Sequence, residues 1–134
     1  MPSSNAATTT PVPNRSILVV DDNDDVRDAI IAALRVAGYD AVGAENGAVA
    51  LARLREERLR PGLILLDLMM PEMDGLEFRD RQMRDPELAR IPVVIVSAFG
   101  RQTAVRALGV ADYLAKPIDF ERLLELAARH CARS

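Results

Sequence analysis

Five residues have the types and placement to do chemistry together: Asp21, Asp22, Asp67, Ser97 and Lys116. Each stands at the end of a short run that reads as a strand. Asp21 and Asp22 follow Ile17 to Val20, Asp67 follows Leu63 to Leu66, Ser97 follows Val93 to Val96, and Lys116 follows Ala111 to Ala115. Three carboxylates brought together repel one another, and each resists ionising beside the others. A hard divalent cation removes that conflict. Oxygen-only ligands suit Mg²⁺, which keeps several waters and takes carboxylates together with a phosphate oxygen. The Ser97 hydroxyl can donate to one phosphate oxygen and the Lys116 ammonium can pair with another. This is equipment for phosphoryl transfer, with a carboxylate as nucleophile and an acyl phosphate as product. Taken alone, Asp67 has a plainer reading, as a residue that merely caps a strand.

The elements that must position these residues follow from the local pattern. The centre is the stretch 62–78, GLILLDLMMPEMDGLEF. Its short unbroken apolar run reads as a strand buried on both faces, the kind found in parallel sheets. Met69, Met70 and Pro71 make a rigid turn, and Asp74-Gly75 closes the loop and opens a helix from about Gly75 to Met83, polar apart from Leu76, Phe78 and Met83. Upstream, Asn23 caps a helix with Asp24 and Asp25 in its first turn and Val26, Ile30, Ala33, Leu34 and Ala37 on its apolar face; Gly38 ends it. A weak strand at about Tyr39 to Ala44 leads to a helix opened by Asn46-Gly47, with Ala50, Leu51 and Leu54 inward and Arg55 to Arg60 as its charged end. Downstream, a short helix is expected from about Gln102 to Leu108, then a strand from Ala111 to Ala115. A last helix, capped by Asp119, buries Phe120, Leu123, Leu124, Ala127 and Cys131. Strand–helix alternation repeated five times predicts an α/β fold, a parallel sheet covered by helices on both faces. In such a sheet the five chemical residues share one edge, at the carboxyl ends of the strands.

Composition narrows the function classes. The 134 residues are 49% hydrophobic and 28% charged, suited to one globular domain. The formal net charge of −3, with no basic block, argues against direct nucleic-acid binding. No apolar run approaches membrane-spanning length, and no signal-peptide pattern opens the chain. The single cysteine, Cys131, cannot form an internal disulfide, which suits a cytoplasmic setting, and it reads as a packing residue. His130, the only histidine, has no partner cysteine or histidine and reads as a surface residue. Met69, Met70 and Met73 read as packing and partner-contact residues. Residues 1–14, rich in Ser, Thr, Ala and Pro, read as a disordered tail before a domain spanning 15–134.

Four pieces, ILVVDDN, LILLDLMMPEMDGLEF, IPVVIVSA and DYLAKP, spread over nearly all of 16–131. Together and in order they resemble the receiver domain of two-component response regulators, of the single-domain, chemotaxis-regulator type. The 30 positions from Asp67 to Ser97 also match that family. The resemblance implies a flavodoxin-like (βα)5, doubly wound sheet of order 2-1-3-4-5. It implies that Asp67 accepts a phosphoryl group from a histidine kinase or histidine phosphotransfer protein. Asp21, Asp22, Asp67 and the backbone carbonyl of Met69 would hold Mg²⁺ (or Mn²⁺). Ser97 would be the switch hydroxyl, Tyr113 the switch aromatic (simple edge packing is its alternative), and Lys116 would contact the phosphate or Asp67. The Lys116–Pro117 bond would be cis. Beyond self-phosphorylation and dephosphorylation at Asp67, no enzymatic activity is implied. The output would be a protein target, read through the fourth helix, fifth strand and fifth helix; a phosphorylation-dependent homodimer is left open. The chain ends with the fifth helix, so the expectation is a stand-alone receiver.

In receiver-like sites the side chains best placed to orient a hydrolytic water come two residues after the acceptor and two after the switch hydroxyl. Here these are Met69 and Phe99, and neither holds water by a strong hydrogen bond. A long-lived phosphorylated state is the expectation. The interval from Ser97 to Lys116, 19 positions, is shorter than the family commonly has by about one helical turn. The missing turn falls between Gly100 and Gly109, which puts the usual output surface in question. Alternative readings are a phosphate carrier or sink in a relay, or a pseudo-receiver that binds without phosphorylation. A flavodoxin-like cofactor binder would need a phosphate loop where Asp21-Asp22 stand, electrostatically wrong for it. An aspartyl phosphohydrolase would need a second acid at Met69.

Overall fold

The computed structural model describes residues 14–70, 72–98 and 108–131. In chain order the elements are β1 (Ser16–Val20), α1 (Asp24–Val36), β2 (Asp40–Ala44), α2 (Gly47–Arg55), β3 (Leu63–Leu66), α3 (Gly75–Met83), a 3-10 turn (Leu88–Arg90), β4 (Val93–Ser97), β5 (Asp112–Ala115) and α4 (Phe120–His130). The strands form one sheet in the order β2-β1-β3-β4-β5, every pair parallel. The expected tail (1–13), Pro71, Phe99 and nearly all of the predicted helix at 102–108 lie outside the described residues. Asn14, assigned to the tail by composition, is already docked, its amide donating to Arg60 O at 3.0 Å.

Alternate residues of each strand feed two cores. Ile17, Val19, Leu63, Leu65, Val94, Val96 and Leu114 pack with Ile30 and Leu34 of α1 and Leu123, Leu126 and Ala127 of α4. Leu18, Val20, Ile64, Leu66, Val93 and Ile95 pack with Ala50, Leu51 and Leu54 of α2 and Phe78 of α3. Both faces of the central strands are therefore apolar, and this is why their sequences show runs without alternation. The helix starts are set by side-chain caps: Asn23 accepts from Val26 N, Asn46 from Val49 N, Asp74 from Glu77 N and Asp119 from Glu121 N. Gly38, in the left-handed region (φ 97), follows the end of α1.

Several expected details are corrected. On α3, Leu76 and Met83 are exposed, while Arg79 and Gln82 turn inward beside Phe78. On α4, Phe120 is exposed at the rim of an open cleft of about 360 Å³ shared with Val26, Ala29 and Pro117, and Leu126 takes a core position. Ala37 is exposed at the end of α1, because the helix has run past the sheet. Helix α2 stops at Arg55; Arg60 folds back, donating to Leu54 O at 2.6 Å and pairing with Glu87. His130 is not a free surface residue: its Nε2 lies 3.2 Å from Asp112 Oδ2, joining α4 to β5. Burial acts to raise the pKa of Asp112, but the Tyr113 amide, His130 and Arg122 outweigh it and hold the carboxyl below its usual range.

Candidate functional site

Strand register brings the chemical residues to one edge. Val20 is paired with Leu66, so Asp21 and Asp67 leave adjacent strands side by side, with Asp67 N donating to Val20 O at 3.0 Å. Ser97 is paired with Ala115, and Lys116 N donates to Ser97 O at 3.2 Å. The Asp67 loop is pressed tightly under α3. Gly75 N donates to Leu68 O at 3.1 Å, and a Cβ on Gly75 would lie 2.5 Å from Asp67 O and 2.7 Å from Leu68 Cα. Glycine is required there by this close backbone approach.

Asp21, Asp22 and Asp67 each offer a carboxylate oxygen, all within 4.8 Å of one another. Asp21 and Asp67 are buried, and Asp22 is exposed at the mouth. The Lys116 ammonium sits between the two buried acids, 2.8 Å from Asp21 Oδ2 and 3.2 Å from Asp67 Oδ2. The Asp21 contact is the shorter of the two, and Lys116 is the one partner that reaches each buried Oδ2 among the described residues. The other oxygens are engaged: Asp21 Oδ1 accepts from Asn23 N at 2.9 Å and Asp67 Oδ1 from Met69 N at 3.2 Å. Burial raises the pKa of Asp67 and the charge of Asp21 adds to the rise; the Met69 amide and Lys116 oppose it without prevailing. Burial acts to lower the Lys116 pKa, but Asp21 and then Asp67 prevail and hold the ammonium charged. A crowded set of hard oxygen donors fits a small divalent cation, and no softer ligand stands in the cluster.

Ser97 is fully buried at the end of β4. Tyr113 is half-buried and its hydroxyl donates to Ser97 O at 3.1 Å, so the two residues expected to act as a pair are physically joined. The Lys116–Pro117 peptide is cis. The Met69 side chain is 60% exposed, standing out from the loop. Phe99 lies outside the described residues. Sequence reading missed the buried Arg79–Gln82 pair; its one signal was two long polar residues three apart, the first next to Phe78, which faces the core.

The chain belongs to the response regulator receiver domain family, whose pattern matches residues 17–128. The polar-differentiation response regulator DivK of Brucella anthropi is 36% identical over 114 residues, covering 83% of this chain and 91% of DivK. Protein PilH of Pseudomonas aeruginosa is 35% identical over 112 residues, 81% of this chain and 91% of PilH. The DNA-binding dual master transcriptional regulator RpaA of a Synechocystis species is 39% identical over 111 residues, but the chain spans only 45% of its length. Among solved structures, a response regulator receiver protein from Pseudomonas putida superposes with a TM-score of 0.80 at 35% identity, covering 90% of this chain and 99% of that one. The chemotaxis protein CheY4 of Vibrio cholerae gives 0.79 at 28% identity, over 87% and 98%. The fold is thus the flavodoxin-like receiver fold. Among the described residues no helix is long and apolar enough to cross a membrane.

Proposed function

We propose that this receiver is phosphorylated on Asp67 by a histidine kinase or a histidine phosphotransfer protein, and that the modification changes a surface read by a protein target. The observation that carries the reading is the placement of Asp67, buried beside Asp21 with Lys116 bridging the two and its backbone fixed under α3. An Asp67 carboxylate oxygen attacks the phosphorus atom in line. The new P–O bond forms as the P–N bond to the donor imidazole breaks, and the electron pair leaves with that nitrogen. Lys116 already faces Asp67 Oδ2 and pairs with an equatorial oxygen of the transferred group. The Ser97 hydroxyl donates to another, and the hydrogen bond from Tyr113 to Ser97 O links that event to β5. Asp21, Asp22, Asp67 and the Met69 carbonyl would hold Mg²⁺ (or Mn²⁺), which when bound offsets the charge of the acids and of the phosphoryl oxygens. The reading carries with it a cytoplasmic setting and a target that is a protein and not a nucleic acid.

Incubation with Mg²⁺ and a small phosphodonor, followed by intact-mass measurement, tests the assignment. One base-labile phosphoryl group is expected, absent in Asp67→Ala. A label that survives in Asp67→Ala defeats it.

A further inference from the structure

Among the described residues the most heavily bonded buried cation is outside the acid cluster. Arg79 of α3 is 6% exposed. Its Nε donates to Leu108 O at 3.0 Å, one terminal nitrogen to Gly109 O at 2.9 Å and the other to Gln82 Oε1 at 2.7 Å. Gln82, fully buried, passes the network on: its Nε2 donates to Leu88 O at 2.9 Å and to Ile91 O at 3.1 Å. Among the described residues no carboxylate pairs with this guanidinium. All its partners there are neutral oxygens.

The carbonyls that Arg79 and Gln82 serve need donors, and a planar fork of donors meets them in one fixed geometry, which a single flexible ammonium or an amide alone does not. The geometry fixed here is specific. Helix α3 begins against the backbone of Asp67 and Leu68, too close for any Cβ at Gly75. One helical turn later, about 6 Å along the axis, Arg79 grips the carbonyls of Leu108 and Gly109, shortly before β5. Gly109 is in the left-handed region (φ 64), and the chain then enters β5 and reaches Tyr113. Through Gln82 the same network holds Ile91, at the entrance to β4, the strand that ends in Ser97.

We propose that Arg79 is a positioning residue that ties the helix leaving the Asp67 loop to the entrances of β5 and β4, so that the acceptor loop and the Ser97–Tyr113 pair shift as one body. This gives α3 a part in signalling, through its grip on Leu108, the last residue of the helix expected at 102–108, and on Gly109. Its consequence for phosphorylation rests on the function proposed above; its mechanical content does not.

The test uses Arg79→Met with Gln82→Leu, an apolar pair of similar volume that keeps the core filled, and Arg79→Lys, which keeps the charge without the fork. In the unphosphorylated protein, amide NMR of the double variant should show shifts at both remote ends, Met69 and Gly75 on one side and Tyr113 on the other. Shifts confined to the neighbours of residues 79 and 82 overturn the proposal, whether or not the protein accepts phosphate. The second arm reads Tyr113 fluorescence in a Tyr39→Phe background, since the chain has two tyrosines and no tryptophan. On phosphorylation the double variant should reach wild-type stoichiometry by mass yet lose most of the Tyr113 response, with Arg79→Lys intermediate. A full response in the double variant at equal stoichiometry also overturns it. A wild type that takes no phosphate defeats the proposed function instead and leaves the NMR arm to decide the coupling.

Discussion

Replacing Asp67 with Asn should stabilise the protein in the absence of divalent cations. Asp67 faces a like charge on Asp21, with oxygens within 4.8 Å, and an opposite charge on Lys116 at 3.2 Å. At an effective dielectric constant of about 20 these amount to at least roughly 3 kcal/mol of repulsion and roughly 5 kcal/mol of attraction. Asp22, more screened because it is exposed, adds repulsion, so the Coulomb sum is close to zero and burial decides the sign. The raised pKa of Asp67 says the same: its charged form is disfavoured in the folded state. Asn keeps an oxygen for the Met69 amide and leaves Lys116 paired with Asp21. A gain of about 1 kcal/mol at neutral pH is expected, roughly 4 °C in Tm for a domain of this size. The pH dependence has a definite sign. A carboxyl whose folded pKa lies above its unfolded value of 3.8 costs nothing below 3.8, and its cost grows as pH rises until the folded pKa is passed. The advantage of Asp67→Asn should therefore be present at pH 7 and vanish below 3.8. Thermal melts in EDTA at several pH values measure it. Saturating Mg²⁺ at 100 times its Kd should add about 2.7 kcal/mol to the wild type and much less to the variant, reversing the order. If Asp67→Asn melts lower than the wild type in EDTA at pH 7, the electrostatic account of the site is wrong.

Lys116→Met should act in the opposite direction, costing up to about 3 kcal/mol in EDTA because it strands two buried carboxylates, with Mg²⁺ recovering much of the loss; a variant as stable as the wild type would show that the ammonium does not hold the acids. Gly75→Ala should both destabilise the fold and slow labelling of Asp67, because its Cβ meets backbone and not a movable side chain; denaturant melts and labelling rates read the two effects. Asp112→Asn should lose less than about 1 kcal/mol at pH 7. Its folded pKa lies below 3.8, so that stability is present above 3.8 and lost as pH falls through the folded value; a gap that persists at strongly acid pH contradicts the ion-pair reading. Met69→Asn with Phe99→Glu should shorten the phosphorylated lifetime by roughly 10²-fold, the scale of a positioned water or proton-transfer group; equal decay of wild type and variant excludes that account.

The carboxyl edge was legible because buried parallel strands write themselves as unbroken apolar runs, and the residue after each run falls on that edge. The helix starts were legible for a local reason too: Asn23, Asp74 and Asp119 each bond an amide within three positions. The inward face of α3 was not. Leu76 and Met83 look like core residues by type, yet the buried wall there presents the carbonyls of Leu88, Ile91, Leu108 and Gly109, which need donors. Those partners of Arg79 lie 29 and 30 positions away, beyond any local pattern. His130 was misread for the same reason, because its partner Asp112 belongs to another element. Phe120 matched the apolar period of α4 but sits in its first turn, over the open cleft beside Pro117 and not over the sheet.

The arrangement of charge explains why a single buried ammonium suffices in the resting site. Two buried acids share Lys116, and Asp22 stays in water, where its charge needs no partner. Adding a phosphoryl group to Asp67 removes the charge of the carboxylate but brings roughly −1.5 to −2, with three strong acceptor oxygens. Lys116 cannot serve Asp21 and those oxygens equally, so part of its bonding must be surrendered. The Lys116 amide and the Tyr113 hydroxyl both bond the same carbonyl, Ser97 O. A shift of either strand end is therefore transmitted to the other through that shared carbonyl.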